Sequence, residues 1–319
     1  MRNPKICVIG AGIVGLTTAT QLQIQIPNAQ VTVIADKFLS STTSDGAAGI
    51  FRPGTSFAGP NKNITRKWLE DSYSFYLNEI KRFSSKVAKE IGIEKKKVCM
   101  MSTKSKESLR NPYLEDLLDD YHFLTEEEVK ERFGFVSRGG SIVKRSLKSF
   151  EELAEDFDLV FNCSGLGAEN LCEDHSMIPV RGQVYKVYAP WIKEALYLDS
   201  DTYIIPGVDG TVTLGGTRQF ESTRDEIDKH DSAGIWERCT QVENSLKDAK
   251  ILREWVGFRP YRPYVRVEKE IMKFPNGKSI KIVHNYGHGG YGVTSAPGTS
   301  LHAVSLGLEF IGNFKKSKL

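Results

Sequence analysis

The 319-residue chain has little of what marks several functional classes. Its five cysteines (Cys7, Cys99, Cys163, Cys172, Cys239) are scattered, with no CxxC pair and no clustering with the six histidines. Neither a disulfide framework nor a cysteine–histidine metal site is therefore expected. Cys7 and Cys163 lie in apolar strand patterns, where a thiol behaves as a small hydrophobe, and a reducing compartment is the expectation. No apolar run approaches the roughly 18 to 20 residues that cross a bilayer. The first residues also lack the apolar stretch and small-residue cleavage site of a signal peptide. Long runs of one charge sign are missing: Lys plus Arg number 43 against 40 Asp plus Glu, and the basic patches Lys95-Lys96-Lys97 and Lys315-Lys316 are short. Nucleic acid is thus not an expected partner. There is no repeat and no low-complexity linker. With 40% hydrophobic and 26% charged residues, the composition fits one large or two ordinary globular domains.

What is present is an alternation of strand and helix signals. "KICVI" (Lys5 to Ile9) reads as a strand, the next segment takes helical spacing at Ile13, Leu16, Ala19 and Leu22, and "VTVIA" (Val31 to Ala35) reads as a second strand. This is a βαβ opening. Arg66 to Ile91 reads as helix, Val98 to Ser102 as strand, and Tyr113 to Phe133 as a polar helical stretch. A strand near Ser141 to Lys144, a short helix at Ser149 to Glu155 and the apolar strand at Asp158 to Gly165 follow. Strands dominate Gln183 to Gly216. A helix around Ser232 to Leu246 and more strands up to Tyr286 come next, then a final helix at Ser300 to Phe314. The expected class is α/β, with a Rossmann-like domain interleaved with a smaller strand-rich one.

Gly10, Gly12 and Gly15 form G-x-G-x-x-G around Ile13 and Val14, between a predicted strand and a predicted helix. Asp36 ends the next strand, about 20 residues past the last glycine, as a dinucleotide site requires. Gly10 makes the turn, Gly12 admits a pyrophosphate and Gly15 lets helix pack on strand. The helix N-terminus adds partial positive charge. Asp36 would accept ribose hydroxyls. FAD and NAD fit equally at this point.

"SSTTSDGAAGIFRP" (Ser40 to Pro53), "FNCSGLGA" (Phe161 to Ala168), "RGQVYKVYAPW" (Arg181 to Trp191), "TYIIPG" (Thr202 to Gly207), "GFRPYRPYVRVE" (Gly257 to Glu268) and "HNYGHGGYGVT" (His284 to Thr294) occur in that order. With the N-terminal motif they resemble the D-amino-acid oxidase and D-aspartate oxidase family over nearly the whole chain. The resemblance implies FAD as cofactor and O2 as co-substrate. It implies a FAD-binding domain from 1–50, 136–180 and 280–319, interleaved with a substrate domain from 51–135 and 181–279. By motif, Asp36 and Lys37 hold the adenosine ribose, and Thr42, Thr43, Ala48, Gly49 and Ile50 lie against pyrophosphate and flavin. Gly289, Gly290, Tyr291, Gly292, Val293 and Thr294 wrap the flavin's polar edge. Arg259 and Tyr203 grip the substrate α-carboxylate beside Gly290. No acid or base residue is implied, because the α-hydrogen leaves as hydride, and His288 carries no catalytic duty.

"TVTLGGTRQF" (Thr211 to Phe220) alternates like a strand, breaks at two glycines and reaches Arg218. This arginine is either a solvated charge paired with Glu221 or Asp225 or an anion anchor. The resemblance places it where the acidic-substrate branch faces a side-chain carboxylate, so D-aspartate and D-glutamate are the expected substrates. Neutral D-amino acids are the alternative. Arg52 stands where the neutral branch has an amide. The family carries an extra strand and helix after Phe135; their absence here makes an impaired flavin-binding variant a further alternative. Ser317-Lys318-Leu319 matches the peroxisomal address, so an import receptor is an expected partner and the peroxisomal matrix the expected location.

Overall fold

The computed structural model describes residues 3–38, 41–54, 56–82, 94–96, 98–100, 113, 121–123, 140–199 and 201–316. In chain order the elements are β1 (Lys5–Ile9), α1 (Ile13–Gln25), β2 (Gln30–Ala35), α2 (Thr43–Gly46), α3 (Lys62–Arg82), β3 (Glu94–Lys96), β4 (Val98–Met100), β5 (Tyr121–Phe123), β6 (Ser141–Lys144) and β7 (Leu159–Asn162). They continue with α4 (Ala168–Cys172), β8 (Ile178–Tyr188), β9 (Ala195–Tyr197), β10 (Tyr203–Pro206), β11 (Thr211–Gly215), β12 (Gln219–Phe220), α5 (Lys229–Val242), β13 (Lys250–Lys273), β14 (Ser279–His288) and α6 (Gly292–Lys316).

One twelve-stranded sheet runs in the order β4-β9-β10-β11-β8-β13-β14-β7-β1-β2-β6, with β12 pairing on β8. From β14 to β6 every pairing is parallel, and from β9 to β14 every pairing is antiparallel. One face of the parallel part is covered by α1 and α6 and the other by Phe150, Leu153 and Phe157, as parallel strands buried on both faces require. Its strands accordingly read as solid apolar runs: Ile6, Val8, Leu159, Phe161 and Val283 are almost fully buried. The antiparallel part carries α5 on one face, over Tyr185, Val187, Ile204, Val212 and Leu214. The boundary expected at residue 180 falls inside β8, so the two halves share one sheet.

The longest helices, α3 and α6, cross closely, because a Cβ on Gly298 would stand 2.0 Å from the Trp68 carbonyl oxygen. Helix α6 begins eight residues before the expected Ser300, straight through Pro297. A proline inside a helix removes one i to i−4 hydrogen bond, leaving the Val293 carbonyl without its helical donor. The Tyr76 hydroxyl on α3 donates to that carbonyl at 2.5 Å, and the Gly298 N–H turns to the Ser72 hydroxyl at 2.9 Å. Two α3 side chains thus repair the break, which lets "GVTSAPG" be helical although its composition reads as loop. Helix α3 starts at Lys62 because the Asn61 side chain accepts from the Ile64 N–H. Its expected end at Ile91 lies outside the described residues. Within the stretch expected as helix from Tyr113 to Phe133, Tyr121–Phe123 is instead a strand that pairs antiparallel with Glu94–Lys96. The run Tyr-His-Phe favours a pleated pairing, and cross-strand partners outweigh the polar periodicity. The Phe135–Val136 junction and Ser317, Lys318 and Leu319 lie outside the described residues.

Tyr76→Phe should lower unfolding stability by about 1–2 kcal/mol, because it strands a buried carbonyl. In a Pro297→Ala background the same change should cost less, since the alanine N–H can return to Val293. Urea denaturation of the four proteins in this cycle measures the difference.

Candidate active site

The nucleotide end is built on close backbone approach. Gly10 follows β1 with φ +102°, and a Cβ there would stand 2.4 Å from the Cys163 carbonyl oxygen. A Cβ on Gly15 would meet the Gly10 carbonyl at 2.0 Å, so only glycine lets α1 descend onto the β1 turn. Gly12 is the N-cap of α1 and provides no side-chain cap, and no acidic residue lies in the first turn. The positive end of the helix dipole is left for an anion. Ile13 offers its N–H to the Ser44 hydroxyl at 2.9 Å, and the Val14 carbonyl accepts from Thr18 at 2.9 Å. Asp36 and Lys37 are exposed immediately after β2.

The segment from Thr42 to Ile50 folds back against this turn. Thr42 precedes α2, and the Thr43 hydroxyl donates to the Phe258 carbonyl at 3.0 Å, tying α2 to β13. Gly49 is buried at φ +71°, while Ala48 and Ile50 pack with Tyr197 and Tyr203. One Asp45 oxygen pairs with Arg253, but the other, Oδ1, is buried without a hydrogen-bond partner. A buried carboxylate oxygen left open calls for a donor such as a hydroxyl.

The glycine-rich turn after β14 completes the cradle. Gly289 has φ +55°, Gly290 is exposed, and Tyr291 donates to or accepts from the Ser56 hydroxyl at 2.8 Å. A Cβ on Gly292 would lie 3.4 Å from the Ile13 side chain, so the N-termini of α6 and α1 meet. Val293 is held by Tyr76, and the Thr294 hydroxyl donates to the Ile50 carbonyl at 3.2 Å. Two converging helix N-termini, glycines a Cβ would block and an open buried acceptor suit a flavin dinucleotide.

At the other side of the sheet, Tyr203 opens β10 opposite Gly215 of β11. A Cβ on Gly215 would stand 2.0 Å from the Tyr203 ring. Arg259 projects from β13 across Gly182 of β8, where a Cβ would be 2.4 Å from its Nη1. Arg259 donates to the Thr217 carbonyl at 3.1 Å and to the Arg181 carbonyl at 3.4 Å. Glu254 bonds Ser232 instead, and no carboxylate pairs with Arg259 among the described residues. Burial raises the Tyr203 hydroxyl pKa, and the charge of Arg259 opposes the rise. Gly290 adjoins this pair, since a Cβ there would lie 3.3 Å from Arg259 Cδ. Tyr203, Arg259 and Gly290 therefore converge. Arg218 stands beside Thr217, yet its side chain is exposed and pairs with Asp201 at 2.8 Å, neither Glu221 nor Asp225. His288 is buried against Thr299 at 3.0 Å, and burial pushes its pKa down to about 3, so it stays neutral and structural.

Sequence reasoning missed three residues. Tyr197 packs tilted against Tyr203 with centroids 5.7 Å apart. Trp255 fills the space over Gly46 and Gly257, where added Cβ atoms would stand 2.1 and 1.9 Å from its ring. Arg181 is fully buried and donates to Gln183, Gln219, Asp231 and the carbonyls of Arg224 and Glu226, all within 2.9 Å. The strand pattern around Arg181 gave no hint that an arginine would lie at its core.

The model of the FAD dependent oxidoreductase family, DAO, matches residues 5–147 and 134–306. The chain belongs to the DAO family. Human D-aspartate oxidase is 34% identical, the match covering 98% of this chain and 96% of that one. The D-amino acid oxidase of Dugesia ryukyuensis is 35% identical, with 91% and 93% covered. D-aspartate oxidase 1 of Caenorhabditis elegans is 31% identical, with 95% and 97% covered. Glycine oxidase from Bacillus cereus superposes with a TM-score of 0.73 over 98% of this chain and 96% of that one, at 16% identity, a likeness of fold. The cofactor of this DAO-family chain is FAD. Gly10, Gly12, Gly15, the α1 N-terminus and the Gly289–Thr294 turn are the parts of the chain that fit it.

Gly182→Ala should push the Arg259 guanidinium aside while sparing the core. Steady-state kinetics should give a KM raised at least about tenfold, as for a lost charged hydrogen bond. The melting temperature should move by only a few degrees, roughly the effect of 1 kcal/mol or less.

Proposed function

We propose that the chain is an oxidase of acidic D-amino acids, D-aspartate first and D-glutamate second. The overall reaction takes amino acid, O2 and water to the 2-oxo acid, ammonia and hydrogen peroxide. The observation that carries the reading is the Arg259 guanidinium, which among the described residues hydrogen-bonds backbone carbonyls and no carboxylate, set beside the Tyr203 hydroxyl. Such a planar fork suits bidentate binding of a carboxylate. The names of the human and C. elegans relatives support an acidic substrate, and that of the D. ryukyuensis relative supports the broader class.

Bound FAD would supply the redox chemistry, as acceptor for the α-hydrogen leaving as hydride. The chain supplies position. Arg259 and Tyr203 anchor the α-carboxylate, and Gly290 leaves room for the substrate next to them. Tyr203 keeps its proton at neutral pH, because burial raises its pKa, and so acts as a hydrogen-bond donor. No side chain is asked to take the α-hydrogen as a proton. Holding the substrate at two points restricts its orientation, which is the main catalytic lever left to the protein. Arg218, already paired with Asp201, favours the neutral-substrate alternative unless a second cation serves the pocket.

Oxygen consumption with D-aspartate, D-glutamate and D-alanine tests the proposal. D-aspartate should have the highest kcat/KM. Arg259→Met should lower that value about 100-fold or more, as expected when a charged anchor is removed. A higher kcat/KM for D-alanine would reject the acidic preference.

A further inference from the structure

Beyond the anchor for the α-carboxylate, a second guanidinium lies on the same pair of tyrosines. Arg52 is half-buried, with its guanidinium carbon 4.3 Å from the centre of the Tyr197 ring. Tyr197 leans on Tyr203, whose hydroxyl feels the charge of Arg259. The four side chains thus form a continuous row with a cation at each end. Its apolar surroundings are Ala48, Ile50, Ala195 and Ile205. The root of Arg52 is fixed as well, since its N–H donates to the Thr294 hydroxyl at 3.2 Å, at the first turn of α6.

The two candidate cations for a substrate side chain differ in one respect. Arg218 is exposed and its charge is answered by Asp201 at 2.8 Å. Among the described residues no carboxylate pairs with Arg52. A half-buried cation stacked on an aromatic ring and without a counter-charge gains more from an incoming anion than an exposed ion pair does.

We propose that Arg52 is the specificity-determining residue of the site, receiving the side-chain carboxylate of an acidic D-amino acid. This rests on the reading above, in which Arg259 and Tyr203 hold the α-carboxylate. Arg52 moves no proton and takes no part in bond breaking. It discriminates by charge: an apolar side chain leaves the guanidinium unanswered, and the penalty falls on neutral substrates.

The test compares FAD-loaded wild-type protein with Arg52→Gln, Arg52→Lys and Arg218→Gln. Calorimetry measures binding of succinate and propionate, unreactive acids that differ by the second carboxylate. Wild type should prefer succinate. Arg52→Gln should reduce that preference at least about tenfold, the size of a lost charged hydrogen bond. Arg52→Lys should restore part of it, and Arg218→Gln should change it less than about threefold, as for an exposed pair. The ratio of KM values for D-aspartate and D-alanine should move in parallel. An intact succinate preference in Arg52→Gln overturns the proposal, as does an equal weakening of both acids. If wild type oxidises D-alanine but shows no succinate preference, the oxidase reading stands and the role of Arg52 falls. If no D-amino acid reduces the flavin, both fall.

Discussion

The substrate side of the molecule depends on where one guanidinium can lie. Arg259 reaches its position because Gly182, on β8, carries no side chain there, and Gly290, in the turn after β14, leaves its Cδ room. The backbone does the rest: the carbonyls of Arg181 and Thr217 take part of the guanidinium's hydrogen bonding. A planar cation held this way has its remaining donors preset, so a carboxylate binds with less loss of side-chain freedom. Tyr203 is set by the same device, with Gly215 opposite its ring.

The loop that supplies Thr217 is itself held from inside. Arg181, fully buried, pairs with Asp231 and draws in Gln219 and the carbonyls of Arg224 and Glu226. Removing one partner of such a buried pair commonly costs about 3–5 kcal/mol. The pair therefore orders the chain from β12 to α5, and the same Arg181 contributes its own carbonyl to Arg259. Fold and site meet in this residue. On the cofactor side the corresponding joint is the meeting of α1 and α6, where Pro297 would weaken the helix if Tyr76 and Ser72 did not take over the freed groups.

Much of this was legible before the structure. The β1–α1–β2 unit was readable because glycine spacing and apolar periodicity agree there, and Ser141–Lys144 is a strand with the expected ends. Local signals failed where a distant partner decides. The start of α6 was hidden because its glycines and proline are tolerated only through contacts from α3. Tyr121–Phe123 is a strand by virtue of Glu94–Lys96, which no window around it contains. At the site, the motifs singled out Tyr203 and Arg259, and the fold sets these two side chains near one another. The surface pairing of Arg218 with Asp201, and the stacking of Arg52 on Tyr197, arise from turns and strands brought together by the sheet, and spacing carries no record of them.

The most direct measurement is the anaerobic absorbance spectrum of the FAD-loaded protein before and after D-aspartate, with L-aspartate in a parallel cuvette. The account predicts rapid loss of the oxidised flavin band with the D-enantiomer alone. Bound flavin that stays oxidised with D-aspartate would contradict it.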